Sequence, residues 1–502
     1  MTIGRISAGK EKCLEEWYVG KRSTYPRSPL AEHKSGLGRH LTFRTRFTSL
    51  PVVKRRGIRK RSTVARINMG VQWLLLCVVA IVGLPKQTTA NRVLCYYDSR
   101  SFYREGPGKM LPADIEPSLT YCTHLIYGYA KVDASNYHVG ALDEQLDLDS
   151  GKGNYRAITT LKKRHPGLSV LLSVGGGADV DEPEKYLKLL EESDRRSAFI
   201  SSAKTLMKQY GFDGLDLAWE FPGMKKKKDR GTLGSLWHGI KKTFGYAHSH
   251  KDEKAEEHRE GFTKLVKDLQ KSLKPDNLLL TATVLPNVNE SLYYEAKEIP
   301  KYVDFINLMT FDFKTPERNS DEADYPAALY PGGGRDAEST ADGNIRWWLE
   351  QGVSGSKIIM GIPTFARTWK LTAESKISGV PPTPADGPGE EGPYTKTPGL
   401  MSYAEICIAI NPVTKGTTHT LRRVTDPSNK LGSYGFRLPD SATSEGGVWA
   451  AYEDPDTAGY KAAYTKTKSL GGIAVWDVSL DDFRGVCTGD KFPIIRAAKA
   501  HL

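Results

Sequence analysis

The stretch from Gly211 to Pro222 reads Gly-Phe-Asp-Gly-Leu-Asp-Leu-Ala-Trp-Glu-Phe-Pro and carries three acids, Asp213, Asp216 and Glu220. Carboxylic acids gathered at one end of a strand are groups that give and take protons. Leu215, Leu217 and Trp219 alternate with Asp216, Ala218 and Glu220. Successive strand side chains point to opposite faces, so the second trio lines one side of a strand, the polar side. Buried parallel strands normally read as near-continuous apolar runs, and acids on such a face need a reason.

A strand of this kind needs a sheet to hold it. From Arg92 onward, short apolar runs alternate with helical patterns, as parallel βα units do. The runs are Val93 to Tyr97, His124 to Tyr129, Ser169 to Val174, Gly214 to Trp219, Leu278 to Val284, Phe305 to Phe311, Lys357 to Ile362 and Gly472 to Trp476. Eight such runs predict an α/β fold, a closed TIM (β/α)8 barrel over 91–370 and 450–502. A representative helix is Glu257 to Leu273, with Phe262, Val266, Leu269 and Leu273 at helical spacing. Lys264, Lys267, Asp268 and Lys271 fall on its other side and are expected to be solvated.

Two connections are too long for ordinary βα loops. One, 371–449, separates the seventh and eighth runs. The other comes after Pro222 and begins Gly223-Met224-Lys225-Lys226-Lys227-Lys228-Asp229-Arg230, continuing with little pattern to Lys251. Long loops at the C-terminal face of a barrel are more often functional than ornamental. The charge run reads either as a solvated loop or as a contact for a polyanion or an acidic receptor patch.

The formal net charge of +12 over 502 residues misleads about the folded part. Residues 1 to 68 hold 17 Lys plus Arg against 4 acids, and Lys86 adds one cation, leaving −2 from Asn91 onward. Residues 1–68 lack apolar periodicity and read as a disordered basic extension. A nucleic-acid-binding arm is disfavoured by the character of the next segment. Met69 opens it with the apolar run Leu74 to Leu84, then Thr88-Thr89-Ala90, which fits the core and small-residue end of a secretory signal over 69–90. A single-pass anchor is the alternative, but the run is short for spanning a bilayer. Translation is therefore expected to start at Met69, with 1–68 mispredicted upstream sequence and a secreted chain from Asn91.

Export agrees with cysteine usage. Cys95, Cys122, Cys407 and Cys487 remain beyond the signal. An even count in an exported chain suggests disulfides, and four cysteines allow three connectivities. Asn289-Glu290-Ser291 is a usable glycosylation sequon in such a chain. No Cys/His cluster has metal-ligand spacing, and no cofactor is suggested.

The acidic stretch resembles the signature of glycoside hydrolase family 18, the chitinase family, which runs Asp-x-x-Asp-x-Asp-x-Glu at the end of barrel strand four. Asp213, Asp216 and Glu220 match it, and Ala218 stands where the family carries its third Asp. Further motifs occur in order along the chain. Ser173-Val174-Gly175-Gly176 is similar to the strand-three motif, with Gly177 where Trp is usual. Met309 and Asp312 are similar to the strand-six motif Met-x-Tyr-Asp, with Phe311 in place of Tyr. Gly361 to Arg367 resembles strand seven, with Phe365 for Tyr, and Trp476 matches the aromatic floor beneath the bound sugar.

The resemblance implies how such a site works. The Glu protonates the glycosidic oxygen while the substrate's own acetamide attacks the anomeric carbon. The third Asp and the strand-six Tyr hold that acetamide, and the methyl of Ala218 and the phenyl of Phe311 cannot. It also implies that Cys95 pairs with Cys122 and Cys407 with Cys487, and that 371–449 is a small α+β insertion domain walling the groove. The degenerate site would comprise Asp213, Asp216, Ala218, Glu220 and Phe311, with no catalytic set intact. Asp213 and Asp216 are expected to be hydrogen-bonded structural acids under the barrel mouth. Glu220 is either a solvent-facing carboxylate or a ligand contact. Carbohydrate would meet Glu220, Met309, Asp312, Arg367 and Trp476.

Ala218, Phe311 and the long basic loop together most resemble the imaginal disc growth factors, a chitinase-like branch of the family in insects. That resemblance implies a secreted, catalytically inactive growth factor acting through an unknown cell-surface receptor, without nucleic acid or stable membrane insertion. The alternatives are a chito-oligosaccharide-binding, lectin-like protein and a chitinase of weak residual activity.

Overall fold

The computed structural model describes residues 92–224 and 252–502, apart from 333, 374, 376–378, 412–419 and 442–445. The basic extension, the expected signal and the Lys225–Lys228 run lie outside the described residues.

Eight parallel strands close on themselves. They are β1 (Arg92–Asp98), β2 (His124–Val132), β3 (Ser169–Gly175), β4 (Gly214–Ala218), β5 (Leu279–Val284), β6 (Phe305–Leu308), β7 (Ile358–Pro363) and β8 (Gly472–Trp476). Each pairs with its neighbours in chain order, and β1 pairs with both β2 and β8, which leaves no barrel edge open. Leu94, Tyr96, Ile126, Leu171, Phe305 and Ile359 point into the barrel, while Val93, Cys95, Tyr97, Leu125, Tyr127 and Leu172 pack outward under the helices. That period-two division is the pleat of each strand.

The outer layer includes α1 (Glu144–Asp147), α2 (Asn154–Thr160) and α3 (Ala255–Leu273). Phe262, Leu265, Val266, Leu269 and Leu273 of α3 are buried, whereas Lys264, Lys267, Asp268 and Lys271 are exposed. Fully burying each such large apolar side chain contributes about 1.5–3 kcal/mol.

Two barrel strands stop short of expectation at the mouth, whereas β2 runs on to Val132. β6 ends at Leu308, and β4 ends at Ala218 instead of Trp219. After β6 the chain turns tightly, with Thr310 N–H donating to Leu308 O and Phe311 N–H to Met309 O, and Asp312 adopts φ 57°. After β4, Phe221 N–H donates to Trp219 O. Local turns replace the ladder where the strands run out of partners.

A second, antiparallel sheet is formed largely by the chain between β7 and β8. Its order is Arg422–Thr425, Ser433–Arg437, Gly447–Tyr452, Phe365–Leu371, Thr383–Pro388 and Glu322–Ala323, with Leu400–Ser402 also paired to Phe365–Leu371. It starts earlier and ends later than 371–449, because β7 passes through Thr364 straight into the Phe365 strand. Trp369 and Trp449 are fully buried in its core with ring centroids 5.6 Å apart.

Both disulfides have the expected partners. Cys95 bonds to Cys122, tying β1 to the start of β2. Cys407 bonds to Cys487, closing a separation of 80 residues and tying the Tyr403–Ile410 helix to the segment after β8.

Candidate functional site

The acids of β4 have three different fates. Asp216 points into the barrel and is fully buried. Its Oδ1 accepts from Thr281 (2.6 Å), Thr283 (2.7 Å) and Asn307 (3.2 Å), and its Oδ2 from Ser173 (2.7 Å) and Tyr96 (3.3 Å). Desolvation raises its pKa, and the hydrogen bonds from Thr281, Thr283, Ser173 and Tyr96 act against that rise. Its oxygens are thus occupied by donors from the barrel strands.

Asp213 is a structural acid too, but not under the mouth. It precedes β4, accepts from Val170 N–H at 2.8 Å and pairs with Lys162 at 2.7 Å. A strand advances about 3.3 Å per residue, which puts Asp213 and Glu220 roughly 20 Å apart, at opposite ends of β4.

Glu220 stands just past the strand, half-buried. Its Oε1 accepts from Gly177 N–H at 2.5 Å. Burial pushes its pKa up to about 8; Asp179 adds to the rise, whereas the Gly177 hydrogen bond, Arg100 and Lys185 oppose it.

The turn that delivers Gly177 depends on glycine. Gly175 has φ 92°, and a Cβ there would lie 2.3 Å from Ala218 O. Gly176 N–H donates to that same carbonyl at 2.9 Å, and a Cβ on Gly176 would strike the Tyr129 ring. Backbone thus packs on backbone where β3 meets β4.

Between the two carboxyls lies Ala218, fully buried. A methyl group occupies the position on that face from which a carboxylate could reach across the mouth. Phe311 is likewise buried, edge-on to Phe365 at 5.7 Å and 6.2 Å from Trp476. Met309 joins Phe311 and Phe365 in the inner core. Trp476 is half-buried, with its ring centroid 4.4 Å from Tyr96 and 5.9 Å from Tyr129. The mouth floor is therefore an aromatic platform in which Trp476 meets Tyr96, Tyr129 and Phe311.

Asp312 and Arg367 form one unit. Arg367 donates to both carboxylate oxygens of Asp312, at 2.8 and 2.5 Å, and its guanidinium lies over the Phe365 ring at 4.9 Å. The side chains that sequence reasoning missed surround Glu220 and Trp476. Asp179 is buried, paired with Lys185 at 2.6 Å and bonded to the Tyr186 hydroxyl at 2.7 Å. Tyr96 and Tyr129 could have been found by alternation along β1 and β2; Asp179 carries no such signal. Among the described residues no group of three or more His, Cys, Asp or Glu side chains converges to hold a metal.

This combination of closed barrel, β4 acids and glycine turn agrees with a match between residues 92–481 and the model of glycosyl hydrolases family 18. The chain belongs to glycosyl hydrolases family 18. This family 18 chain is 53% identical over 437 residues to the chitinase-like protein EN03 of Bombyx mori, covering 86% of this chain and 100% of that one. It is 48% identical over 429 residues to the chitinase-like protein Idgf4 of Drosophila melanogaster, covering 84% and 97%. Among solved structures it is similar to human YKL-39, described as a pseudo-chitinase with retained chitooligosaccharide binding, with TM-score 0.65, 26% identity and coverage of 82% and 99%.

Proposed function

We propose that this family 18 chain is a secreted, catalytically inactive chitinase-like protein that acts as an extracellular growth factor of the imaginal disc growth factor type, through a cell-surface receptor. The observation that carries the reading is Ala218: the face that should hold two carboxylates beyond Asp216 holds a methyl group and Glu220 alone. Phe311 removes a second group from the same task. Losing one preorganised electrostatic group costs about 10²- to 10³-fold in rate, so two losses leave little room for residual chitinase activity. Similarity to insect chitinase-like and Idgf proteins supports the growth-factor part of the reading. Among the described residues no helix is long and apolar enough to cross a membrane. Asn289, which caps a short helix by accepting from Leu292 N–H, is proposed as the glycosylation site.

A second reading is favoured by the half-buried Trp476 and its aromatic platform. In it the groove still holds chito-oligosaccharide through Glu220, Met309, Asp312, Arg367 and Trp476, as the YKL-39 description supports by analogy.

A paired assay separates the readings. Residues 91–502 are tested for hydrolysis of a chito-oligosaccharide and, by calorimetry, for binding it, beside the Ala218→Asp, Phe311→Tyr double variant. The proposal expects no turnover by the wild type and recovery of acetamide-dependent binding or turnover in the double variant. Binding without cleavage by the wild type favours the lectin-like reading. Turnover abolished by Glu220→Gln makes the protein an enzyme and overturns the proposal.

A further inference from the structure

A buried acid outside the barrel mouth has no part in sugar handling. Asp147 is the last residue of α1 and is fully buried. Its Oδ1 accepts from the Tyr127 hydroxyl of β2. Among the described residues its Oδ2 has no hydrogen-bond partner, and neither do the hydroxyls of Tyr97 on β1 and Tyr155 on α2. The three rings pack edge to face around it, Tyr97 to Tyr127 at 5.7 Å and Tyr127 to Tyr155 at 5.1 Å.

The other end of α1 is fastened differently. Asp143 caps the helix by accepting from Gln145 and Leu146 N–H, and its Oδ2 accepts from the exposed Tyr103 hydroxyl at 2.5 Å. A four-residue helix has no stability of its own, so α1 is held by the burial of Leu146 and by these two phenol–carboxyl contacts, one wet and one dry.

The dry contact depends on the charge of Asp147. The charged groups acting on it are Asp143 on its own helix and Asp98 on β1, both acids; the other titratable groups facing it are Tyr97, Tyr103, Tyr127 and Tyr155. An ionised carboxylate with an unpartnered oxygen in an aromatic cage is costly, whereas a protonated one is both donor and acceptor. Burial accordingly pushes the Asp147 carboxyl up to about 7, against the hydrogen bonds from Tyr127 and the Asp143 backbone.

We propose that α1 is a proton-operated latch: protonated Asp147 holds the helix shut against Tyr97, Tyr127 and Tyr155, and loss of that proton releases residues 143–153 from the barrel wall. The released acid would titrate near its ordinary value of about 3.9, below that of the shut form. The latch is therefore tightest in acid. Its opening rises about tenfold per pH unit between the two values and levels off above the higher one.

Amide hydrogen exchange by mass spectrometry, on the full chain at pH 5, 6, 7 and 8 with times rescaled for intrinsic chemistry, reads this opening directly. Protection of peptides covering 139–153 is expected to fall about tenfold per unit up to about pH 7 and then hold, a fall that Asp147→Asn removes there while leaving the pH dependence of β4 and β5 peptides as it is in the wild type. Asp147→Asn should flatten the profile, and Tyr127→Phe should raise exchange already at pH 5. A pH-independent wild-type profile for 139–153, or a pH dependence that survives in Asp147→Asn, overturns the latch. Should Asp147→Asn not fold, the wild-type profile and Tyr127→Phe decide it.

Discussion

The backbone N–H of Gly177 donates to Glu220 Oε1 at 2.5 Å, across the gap between the ends of β3 and β4. Gly177 stands in the chain where the family usually carries a tryptophan, and what it brings to the retained acid is a main-chain donor. Glu220 is thus held by the backbone of the β3 turn, with Asp179 the acid acting on it.

Glu220 should hold its proton through neutral pH. Burial raises its pKa to about 8 in the folded chain, against about 4.3 for an unperturbed glutamate. A raised folded value means that the proton-linked stabilisation is complete in acid and declines as pH climbs toward 8. Carboxyl carbon NMR should find a midpoint near 8, and Glu220→Gln should reduce the loss of stability between pH 5 and 8. A midpoint below 5 would show that Gly177 outweighs burial.

Asp216 should matter for the fold irrespective of any ligand. Asp216→Ala leaves donors on Thr281, Thr283, Ser173, Tyr96 and Asn307 without their acceptor. Each buried donor orphaned costs roughly 1–3 kcal/mol, so a loss of several kcal/mol is expected in denaturant unfolding. Asp216→Asn, which keeps an acceptor oxygen, should lose less. Equal stability of wild type and Asp216→Ala would refute the structural role.

The Asp312–Arg367 pair is open to the same test. Arg367→Ala leaves a mostly buried carboxylate without its fork, and breaking such a pair costs about 3–5 kcal/mol. Arg367→Lys should recover only part, because an ammonium cannot match both oxygens. If Arg367→Ala unfolds like wild type, the pair is not what anchors the turn after β6.

Removing the Cys407–Cys487 bond by a double serine variant should cost about 2–5 kcal/mol, since it releases a long loop in the unfolded chain. Thermal unfolding with and without the bond is the check, and an unchanged midpoint would contradict it.

Much of this molecule is legible from local pattern. The eight apolar runs and the buried face of α3 arise from side-chain periods of two and 3.6, which are properties of neighbouring residues alone. The proposed loss of chemistry rests on Ala218 and Phe311, whose side-chain identity needs no coordinates.

What the chain order could not supply is which distant groups meet. Asp213 and Asp216 look alike in sequence, yet one pairs with Lys162 at the foot of β4 and the other takes donors from β1, β3, β5 and β6. Nothing in the sequence says that Asp147 and Glu220 are held above the ordinary carboxylate range; burial is the first cause of both rises, with neighbouring acids adding to it. The amino-acid sequence determined the strands and the residue types Ala218 and Phe311 at the mouth, because these are set by residue identity and short-range geometry. The tertiary structure alone decided which carboxyl is saturated with donors, which is held above its ordinary range and which is paired with a lysine, because desolvation and hydrogen bonding depend on neighbours brought from far along the chain.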